Sequence, residues 1–458
     1  MEISEKLFQK YNLPIPRYTS YPPATSFHTG FNGADFIEQI KISNSSQPEN
    51  ISLYIHIPFC TQRCHFCGCN TALYQSEDKI RKYIACLIKE IQSISPFIDK
   101  RRQVTQVSWG GGTPNSIDLA YVKEVMDVLK SQFTFAEFAE IAMECSPAYL
   151  DFEDVDTLTG IGFNRISLGI QDFHIEVLDA INRKAPKHDV GEMLGYMKNK
   201  GFKGVNLDLV YGLPLQTPEL FQENIQKAIE LKPDRIATFS YAHIPWFNSA
   251  QKLMENYRFP TPEEKLEMLV YAINELSQNG YEVIGMDHFA RKDDELSIAK
   301  HAKNLQRNFQ GYNTKKTTGQ VYAFGASGIS QLHGCFAQNT KSADQYIEAI
   351  EANNMAVERG YILSMDDILI RDTINKIMCS GFIDFEEIAR NHNCTMAGFL
   401  AITKFDSSKI ADMIHDNLVE LTQTTLRVTE AGMLIVRNVA VAFDPNFVPV
   451  ANRYSTTI

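Results

Sequence analysis

The chain has 458 residues, of which 44% are hydrophobic, enough for a full globular core and more than one domain. Its formal net charge of −11 argues against a general nucleic-acid-binding protein. Residues 1–6 form no apolar signal segment, and no run approaches the roughly 18 apolar residues of a membrane helix. We therefore expect a cytoplasmic protein that binds neither nucleic acid nor membrane.

The first 50 residues predict an N-terminal arm. Residues 16–23, PRYTSYPP, place one arginine and two tyrosines between prolines. Proline biases its neighbours away from helix, so this segment reads as extended. Such an arm either packs on the surface or closes over a site, and we expect it to cover the active site.

Four of the nine cysteines lie within ten residues, directly after the apolar run 53–58. Cys60, Cys64 and Cys67 follow the spacing C-x3-C-x2-C, and Cys69 comes two residues later. Thiolates select zinc, copper(I) or iron–sulfur clusters. Zinc is the weaker interpretation, because a structural zinc site needs four ligands and no second cysteine or histidine pair stands nearby. Three thiolates on a four-iron cluster would leave one iron open to a ligand.

From residue 52 the sequence alternates strand-like and helical patterns, which predicts an α/β fold with a parallel sheet. The helical patterns include 78–94, 118–130 and 218–231. Six or more such units would curl into a partial (β/α)6 barrel, with a possible seventh strand at 281–286. The six predicted strands are 53–57, 104–109, 141–145, 166–170, 205–211 and 236–241.

Polar residues recur at the carboxyl ends of these strands. One such strand end is followed by Gly110-Gly111-Gly112-Thr113, where glycines serve either a tight turn or a close backbone approach to a ligand. The carboxyl ends of parallel strands converge on one mouth, so we expect a site there. The other polar residues at these ends are Glu144, Gln171, Asp172, Asp208 and His243.

Two later segments, 286–291 and 307–312, mix aromatic and cationic residues, as a flat anionic ligand would require. The alternative is a surface excursion with incidental aromatics.

Beyond residue 355 the patterns change to helices at 365–379 and 385–392, a hairpin at 421–428 and a helix at 431–443. This order is winged-helix-like, but the acidic balance opposes a DNA role. We interpret 356–458 as a mainly helical cap on a catalytic domain spanning 51–355.

With these motifs assembled, the chain resembles the oxygen-independent coproporphyrinogen III oxidases, a family of radical S-adenosylmethionine (SAM) enzymes of haem synthesis. The resemblance runs nearly end to end. It covers the arm at 17–22, the cysteine loop and the glycine motif. It also covers the segments 169–172, 208–214, 286–290 and 307–312.

The resemblance implies a [4Fe-4S] cluster held by Cys60, Cys64 and Cys67, and two SAM molecules. It implies that Cys69 is needed for activity without being a cluster ligand, and that Tyr54 acts in catalysis as well as in SAM binding. The SAM-binding positions that the resemblance implies are Tyr54, Phe66, Gly111, Gly112, Thr113, Glu144, Gln171, Arg183, Asp208, Ala242 and Ile329. On sequence alone, Arg183 is interpreted as an ordinary surface arginine.

The implied reaction converts two propionates of coproporphyrinogen III to vinyl groups, giving protoporphyrinogen IX. An electron-donor protein and a monomeric state are further expectations. We expect Arg17, Arg291 and Arg307 to pair with substrate carboxylates. The alternative function is a haem-binding chaperone on the same scaffold, but such relatives typically lack the fourth cysteine and the arm.

Overall fold

Strands and helices alternate from Ile51 to Gln278 in the computed structural model, which describes residues 5–74, 76–246 and 248–449. The strands are β1 (Ile51–Ile57), β2 (Phe59–Cys60), β3 (Ala72–Leu73), β4 (Gln103–Gly111), β5 (Thr134–Cys145), β6 (Arg165–Gln171), β7 (Gly204–Tyr211), β8 (Arg235–Ser240), β9 (Tyr281–Gly285), β10 (His288–Arg291), β11 (Leu305–Asn308), β12 (Gly311–Thr314), β13 (Gln320–Phe324), β14 (Ile329–Gln331), β15 (Cys335–Asn339), β16 (Val357–Ile362), β17 (Phe382–Asp384), β18 (Val419–Leu421) and β19 (Thr425–Val428).

The α-helices lie mainly between the parallel strands and in the last hundred residues. They are α1 (Glu5–Tyr11), α2 (Gly33–Ser43), α3 (Glu77–Ile94), α4 (Leu119–Gln132), α5 (Phe152–Ile161), α6 (Ile175–Ala180), α7 (Val190–Asn199), α8 (Pro218–Leu231), α9 (Pro262–Gln278), α10 (Glu295–His301), α11 (Ala343–Glu351), α12 (Met365–Ser380), α13 (Phe385–Asn391), α14 (Met396–Thr403), α15 (Ala411–His415) and α16 (Val436–Ala440).

One twelve-stranded sheet organises the molecule, in the order β16-β15-β14-β13-β1-β4-β5-β6-β7-β8-β10-β9. The seven neighbours from β13 to β8 are parallel, whereas β10 and β14 to β16 join antiparallel. The six predicted parallel strands are thus confirmed, and the fold is α/β. β1 is buried at every position but Tyr54, as expected for a central strand of a parallel sheet that is covered on both faces.

Helix α3 shows why the predicted helices form where they do. The side chain of Ser76 accepts a hydrogen bond from the N–H of Lys79, which caps the first turn. Buried apolar residues then recur at three- and four-residue intervals and face the sheet. These are Ile80, Ile84, Leu87, Ile91 and Ile94.

The amino end of the parallel strands is filled by an ionic network. Arg165 pairs with Glu140 at 2.7 Å and with Glu295 at 2.8 Å. Arg235 pairs with Asp294 at 3.0 Å and with the same Glu295 at 2.8 Å. Because these groups fill the amino end, open space for chemistry lies at the carboxyl end of the strands.

Several predicted elements have different limits in the structure. Strand β5 starts at Thr134, seven positions earlier than predicted. The helix predicted over 431–443 is broken into a 3-10 turn (Gly432–Ile435), α16 and a second 3-10 turn (Val441–Phe443). Strand β13 and the antiparallel strands β14 to β16 were not predicted.

The N-terminal arm packs against the C-terminal elements. Tyr11, Ile15, Tyr18 and Tyr21 share one hydrophobic cluster with α12, α13, α14 and α16. The Tyr18 hydroxyl donates to Asp444 at 2.9 Å. The division into 1–50, 51–355 and 356–458 stays a prediction, and residues 450–458 lie outside the described part.

The C-terminal elements include a three-stranded sheet of order β17-β19-β18. It lies among helices in the sequence order α12-β17-α13-α14-α15-β18-β19-α16. None of the helices in the described residues has the length and apolarity that crossing a bilayer demands.

Candidate active site

The cysteine loop leaves the carboxyl end of β1 and is tied down at both sides. The N–H of His65 donates to the carbonyl of Ile181 at 2.9 Å. The Gln62 amide donates to the Asn182 side chain at 2.6 Å, and Asn182 donates to the carbonyl of Arg63 at 2.8 Å. The turn after α6 therefore fixes the path of the loop.

A cavity of about 180 Å³ opens beside this loop. Cys60, Cys64, Cys67 and Cys69 all line it. A larger cleft of about 840 Å³ lies elsewhere, between the β11–β12 hairpin, residues 18–21 and α12, and no cysteine of the loop reaches it. We place the candidate site at the smaller cavity, because the cluster thiols and the polar strand ends meet there.

The thiols fit an iron–sulfur cluster better than a single ion. Within residues 5–74, 76–246 and 248–449, no three His, Cys, Asp or Glu side chains stand close enough to hold one metal ion. The three thiols instead border one cavity, which suits a cluster whose iron atoms each take one thiolate. Arg183 Nη1 lies 3.5 Å from Cys64 Sγ, and the Thr113 hydroxyl lies 3.5 Å from Cys60 Sγ.

Cys69 contacts the neighbouring thiol Cys67. The N–H of Cys69 donates to Cys67 Sγ at 3.4 Å. The Cys69 thiol interacts with the same sulfur, which lowers the pKa of Cys67 and raises that of Cys69. Burial raises the pKa of Cys60 and Cys64. Cys69 thus acts as a hydrogen-bond donor toward the Cys67 sulfur.

The glycine motif fits the end of β4 against the start of the cysteine loop. A Cβ on Gly111, whose φ is +114°, would lie 2.6 Å from the His56 ring. A Cβ on Gly112 would lie 2.6 Å from the carbonyl oxygen of Pro58. The N–H of Gly112 donates to the carbonyl of Ile57 at 2.7 Å. Close backbone packing, more than a turn, therefore requires glycine here.

Two carboxylates form the acidic side of the cavity. Glu144 is surrounded by protein, yet its carboxylate is solvent-accessible because it faces the cavity. Burial and the charge of Asp208 raise the pKa of Glu144 to about 7. Asp208 accepts hydrogen bonds from Ser167 at 2.8 Å and Asn206 at 2.7 Å, while burial raises its pKa. Arg183 faces them from the cysteine loop side.

The structure brings together most, but not all, of the residues singled out by sequence. Ala242 lies off the 180 Å³ cavity, and its carbonyl accepts from Gln251 at 3.2 Å. Tyr54 lies nearby, since Glu144 and Cys69 are among the charges that influence it. Ile329, on β14, packs against a small hydrophobic cluster of Phe27, Phe336, Leu363 and Ile368. The expected residues on the cavity are Cys60, Cys64, Phe66, Cys67, Cys69, Gly111, Gly112, Thr113, Glu144, Gln171, Arg183 and Asp208.

Sequence reasoning missed several cavity residues or their supports. Ser167 lies on the cavity and Asn206 supports Asp208. Both occupy alternate positions of predicted strands, so strand periodicity could have identified them. Asn182, whose φ is +54°, carries no such signal because it lies in a turn.

The three arginines expected to face the substrate do not lie together. Arg17 pairs with Asp287, and Arg307 donates to the carbonyl of Arg17. Arg291 was wrongly grouped with them. Its N–H donates to the carbonyl of Asp234 at 3.0 Å, at the amino end of β8, and its side chain pairs with Asp293 in solvent. β10 runs antiparallel to β8, which carries Arg291 away from the mouth.

Comparison with known proteins agrees with this geometry. Residues 54–228 match the radical SAM superfamily. The chain is 39% identical to the oxygen-independent coproporphyrinogen III oxidase of Synechocystis sp., over 97% of this chain and 95% of the relative. It is 38% identical to that of Escherichia coli, over 96% and 94%.

A solved structure of the Escherichia coli coproporphyrinogen III oxidase, described as a radical SAM enzyme, superposes with a TM-score of 0.88 at 37% identity. The match covers 94% of this chain and 98% of that one. The cysteine spacing, the strand-end carboxylates and the arm all lie within the matched length. The chain belongs to the family of oxygen-independent coproporphyrinogen III oxidases, within the radical SAM superfamily.

Proposed function

We propose that this protein converts coproporphyrinogen III to protoporphyrinogen IX without oxygen, as a step of haem biosynthesis. Two propionate side chains are oxidatively decarboxylated to vinyl groups. One observation carries the proposal: the three thiols share a cavity with Glu144 and Asp208 in a chain that matches the oxidases over nearly its full length.

Cys60, Cys64 and Cys67 are the proposed ligands of a [4Fe-4S] cluster. The cluster and SAM, when bound, supply the 5′-deoxyadenosyl radical. The chain itself provides opposite charges around them. Arg183, beside Cys64, suits the carboxylate of SAM, because a guanidinium binds carboxylates in bidentate geometry. Glu144 and Asp208 suit its hydroxyl and cationic groups.

A second SAM molecule is part of the proposal. The positions that the resemblance assigns to SAM but that lie off the 180 Å³ cavity are Tyr54, Ala242 and Ile329. Strand register supports a location near the first molecule. Ile329 on β14 lies at the level of Ala323 on β13, which pairs with Tyr54. Two strand spacings, about 10 Å, therefore separate Ile329 from Tyr54.

Cys69 and Tyr54 are the proposed catalytic residues. Cys69 contacts the proposed ligand thiol of Cys67, and it is exposed whereas Cys67 is partly buried. The Tyr54 hydroxyl lies 3.3 Å from Nδ1 of His56, which holds the ring at the cavity side of β1. The electron-donor protein, the monomeric state, the cytoplasmic location and the absence of nucleic-acid and membrane binding stay predictions.

The test is an anaerobic assay of the cluster-loaded protein with dithionite, SAM and coproporphyrinogen III. Methionine, 5′-deoxyadenosine and protoporphyrinogen IX are followed together, and Cys64→Ala and Cys69→Ala should both form no vinyl product. SAM cleavage without vinyl formation would mean a different substrate. If SAM is not cleaved and haem binds tightly, the result would support the haem-binding chaperone. A colourless protein would support the zinc alternative.

A further inference from the structure

Three arginines gather where the N-terminal arm meets the β9–β10 turn. Arg17 forms an ion pair with Asp287 of that turn. Arg307 donates through Nη1 to the carbonyl of Arg17. Arg437 donates through Nη1 to the carbonyl of Ile15 at 3.0 Å. Arg307 is only 7% exposed and Arg437 only 2%. We call Arg17, Arg307 and Arg437 the arginine cluster.

Two members of the arginine cluster, Arg17 and Arg307, carry more positive charge than the one carboxylate they share. Among the strongest electrostatic influences on each of the three guanidinium groups, Asp287 is the one carboxylate. Burial lowers the pKa of Arg437 to about 9 and lowers that of Arg307, whereas Asp287 raises the pKa of Arg17. All three stay protonated at neutral pH. Arg17 and Arg307 thus place two cations against one shared carboxylate, a surplus of one positive charge in a poorly solvated place.

Hydrogen-bond donors also remain available there. In the part of the chain that the structure describes, Nε of Arg307 is buried without a hydrogen-bond partner, and so is Nδ2 of the next residue, Asn308. Buried donors are nearly always satisfied in folded proteins. Both atoms are donors beside a positive surplus, so the missing partner is an anionic oxygen, such as a carboxylate.

The strand register relates the arginine cluster to the SAM-site cavity. Asp208 on β7 pairs with Ala237 on β8, which pairs with His288 on β10. Two strand spacings, about 10 Å, therefore separate Asp208 from His288. Asp287, the partner of Arg17, immediately precedes His288. A ligand that reaches both the cavity and the arginines must extend across two strands of the sheet, as a tetrapyrrole macrocycle does.

We propose that the arginine cluster binds the carboxylates of propionate side chains that the substrate keeps, and so selects which propionates face the SAM-site cavity. This inference rests on the proposed function, because it takes coproporphyrinogen III as the ligand. Four propionates enter the reaction and two remain. A propionate paired with guanidinium groups stays bound and charged, while the opposite side of the macrocycle lies at the cavity. Arg17 and Arg307 bind and position the substrate, and Arg437 contributes charge and holds the arm.

The experiment compares Arg17→Gln with Arg291→Gln in the cluster-loaded enzyme. Both changes remove one arginine charge, but Arg291 is solvent-exposed at the opposite end of the strands. Arg17→Gln should raise the KM for coproporphyrinogen III about tenfold or more, the usual cost of losing a charged hydrogen bond. It should also release more 5′-deoxyadenosine per vinyl group formed. Arg17→Lys should restore part of the loss, and Arg291→Gln should behave as wild type.

Asp287→Asn separates substrate binding from a purely structural role. It removes the counter-charge and frees the Arg17 guanidinium, so the KM should stay equal or fall. If Asp287 and Arg17 only brace the arm, Asp287→Asn should raise the KM as much as Arg17→Gln does, and the proposal would then be wrong. Thermal melting checks that each variant folds, and Arg307→Gln replaces Arg17→Gln if the latter does not.

A binding measurement distinguishes failure of the arginine-cluster proposal from failure of the proposed function. Coproporphyrin III, the stable oxidised form, is titrated into each variant and followed by its fluorescence. Wild type that forms no vinyl product would refute the proposed function, whatever the variants do. The wild type could be active while Arg17→Gln and Arg291→Gln bind coproporphyrin III and turn over coproporphyrinogen III equally well. That result would refute only the proposal for the arginine cluster. The supporting result is weaker binding in Arg17→Gln alone, with a difference in affinity from wild type that grows at low salt.

Discussion

Replacing Gly112 by alanine should disturb the cysteine loop at its base. A Cβ at this position would lie 2.6 Å from the carbonyl oxygen of Pro58, 2.7 Å from that of Phe59 and 2.8 Å from the carbonyl carbon of Pro58. All three neighbours are backbone atoms, so no side-chain rotation relieves the contact. The backbone just before Cys60 has to move.

The cost follows from two contributions. Overpacking costs about 1–3 kcal/mol. A shift at Phe59 also weakens the hydrogen bond from the N–H of Thr113 to its carbonyl, 2.9 Å long, which is worth about 1 kcal/mol. Gly112→Ala should therefore lose about 3 kcal/mol of unfolding free energy and bind less iron, because Cys60 follows directly.

Iron and sulfide content after anaerobic reconstitution, together with the melting temperature, measure both effects. Gly160→Ala is the matched control. A Cβ there meets nothing within 4 Å, and the site lies within helix α5, where alanine is better than glycine by up to about 1 kcal/mol. Gly112→Ala could instead melt at the wild-type temperature and bind as much iron as wild type. The close packing of residue 112 against the backbone of Pro58 and Phe59 would then not be the reason for a glycine here.

Three further predictions concern the site and its supports. Cys67→Ser should lose iron and the brown colour, whereas Cys69→Ser should keep both and form no vinyl product; equal iron loss in the two would make Cys69 a ligand. With a pKa of about 7, Glu144 ionises as pH rises through neutrality, so SAM should bind more tightly at about pH 8 than at about pH 6. Glu144→Gln should flatten that dependence, and titrations showing the same slope in both would contradict it. Glu90→Ala should lower the free energy of unfolding in urea by about 3 kcal/mol or more, because the Tyr346 hydroxyl, the Asn339 amide and the Gly325 N–H would lose their acceptor. Glu90→Gln should cost less, because it keeps an acceptor oxygen. Equal losses in the two variants would refute this account.

The parallel strands and the cavity were predictable because their signals are local. An apolar run followed by a polar residue marks each strand end, as at Glu144, and parallel strands bring such ends together. Strand β13 and the antiparallel strands β14 to β16 gave no comparable signal, since short strands such as Ile329–Gln331 depend on their partners. Arg291 was misplaced for a related reason: the direction of β10 is set by pairing with β8, which no local pattern records.

Arg437 shows a different limit of sequence reasoning. It lies in a stretch that reads as an ordinary helix, and nothing nearby in the chain marks it as buried. Its hydrogen-bond partner, Ile15, is more than four hundred residues away. Contacts of this separation become visible only in the folded chain.

The packing of the arm has a consequence for the order of events during synthesis. Tyr18 finds its partner at Asp444, 426 positions later in the chain. The ribosome therefore completes the cysteine loop and the whole parallel sheet long before the arm has anything to dock against. The arm can dock there only after Asp444 has been made, and contacts of such separation form slowly. A protein that ended before Asp444 would therefore complete the parallel sheet and the cysteine loop but lack this docking contact for the arm.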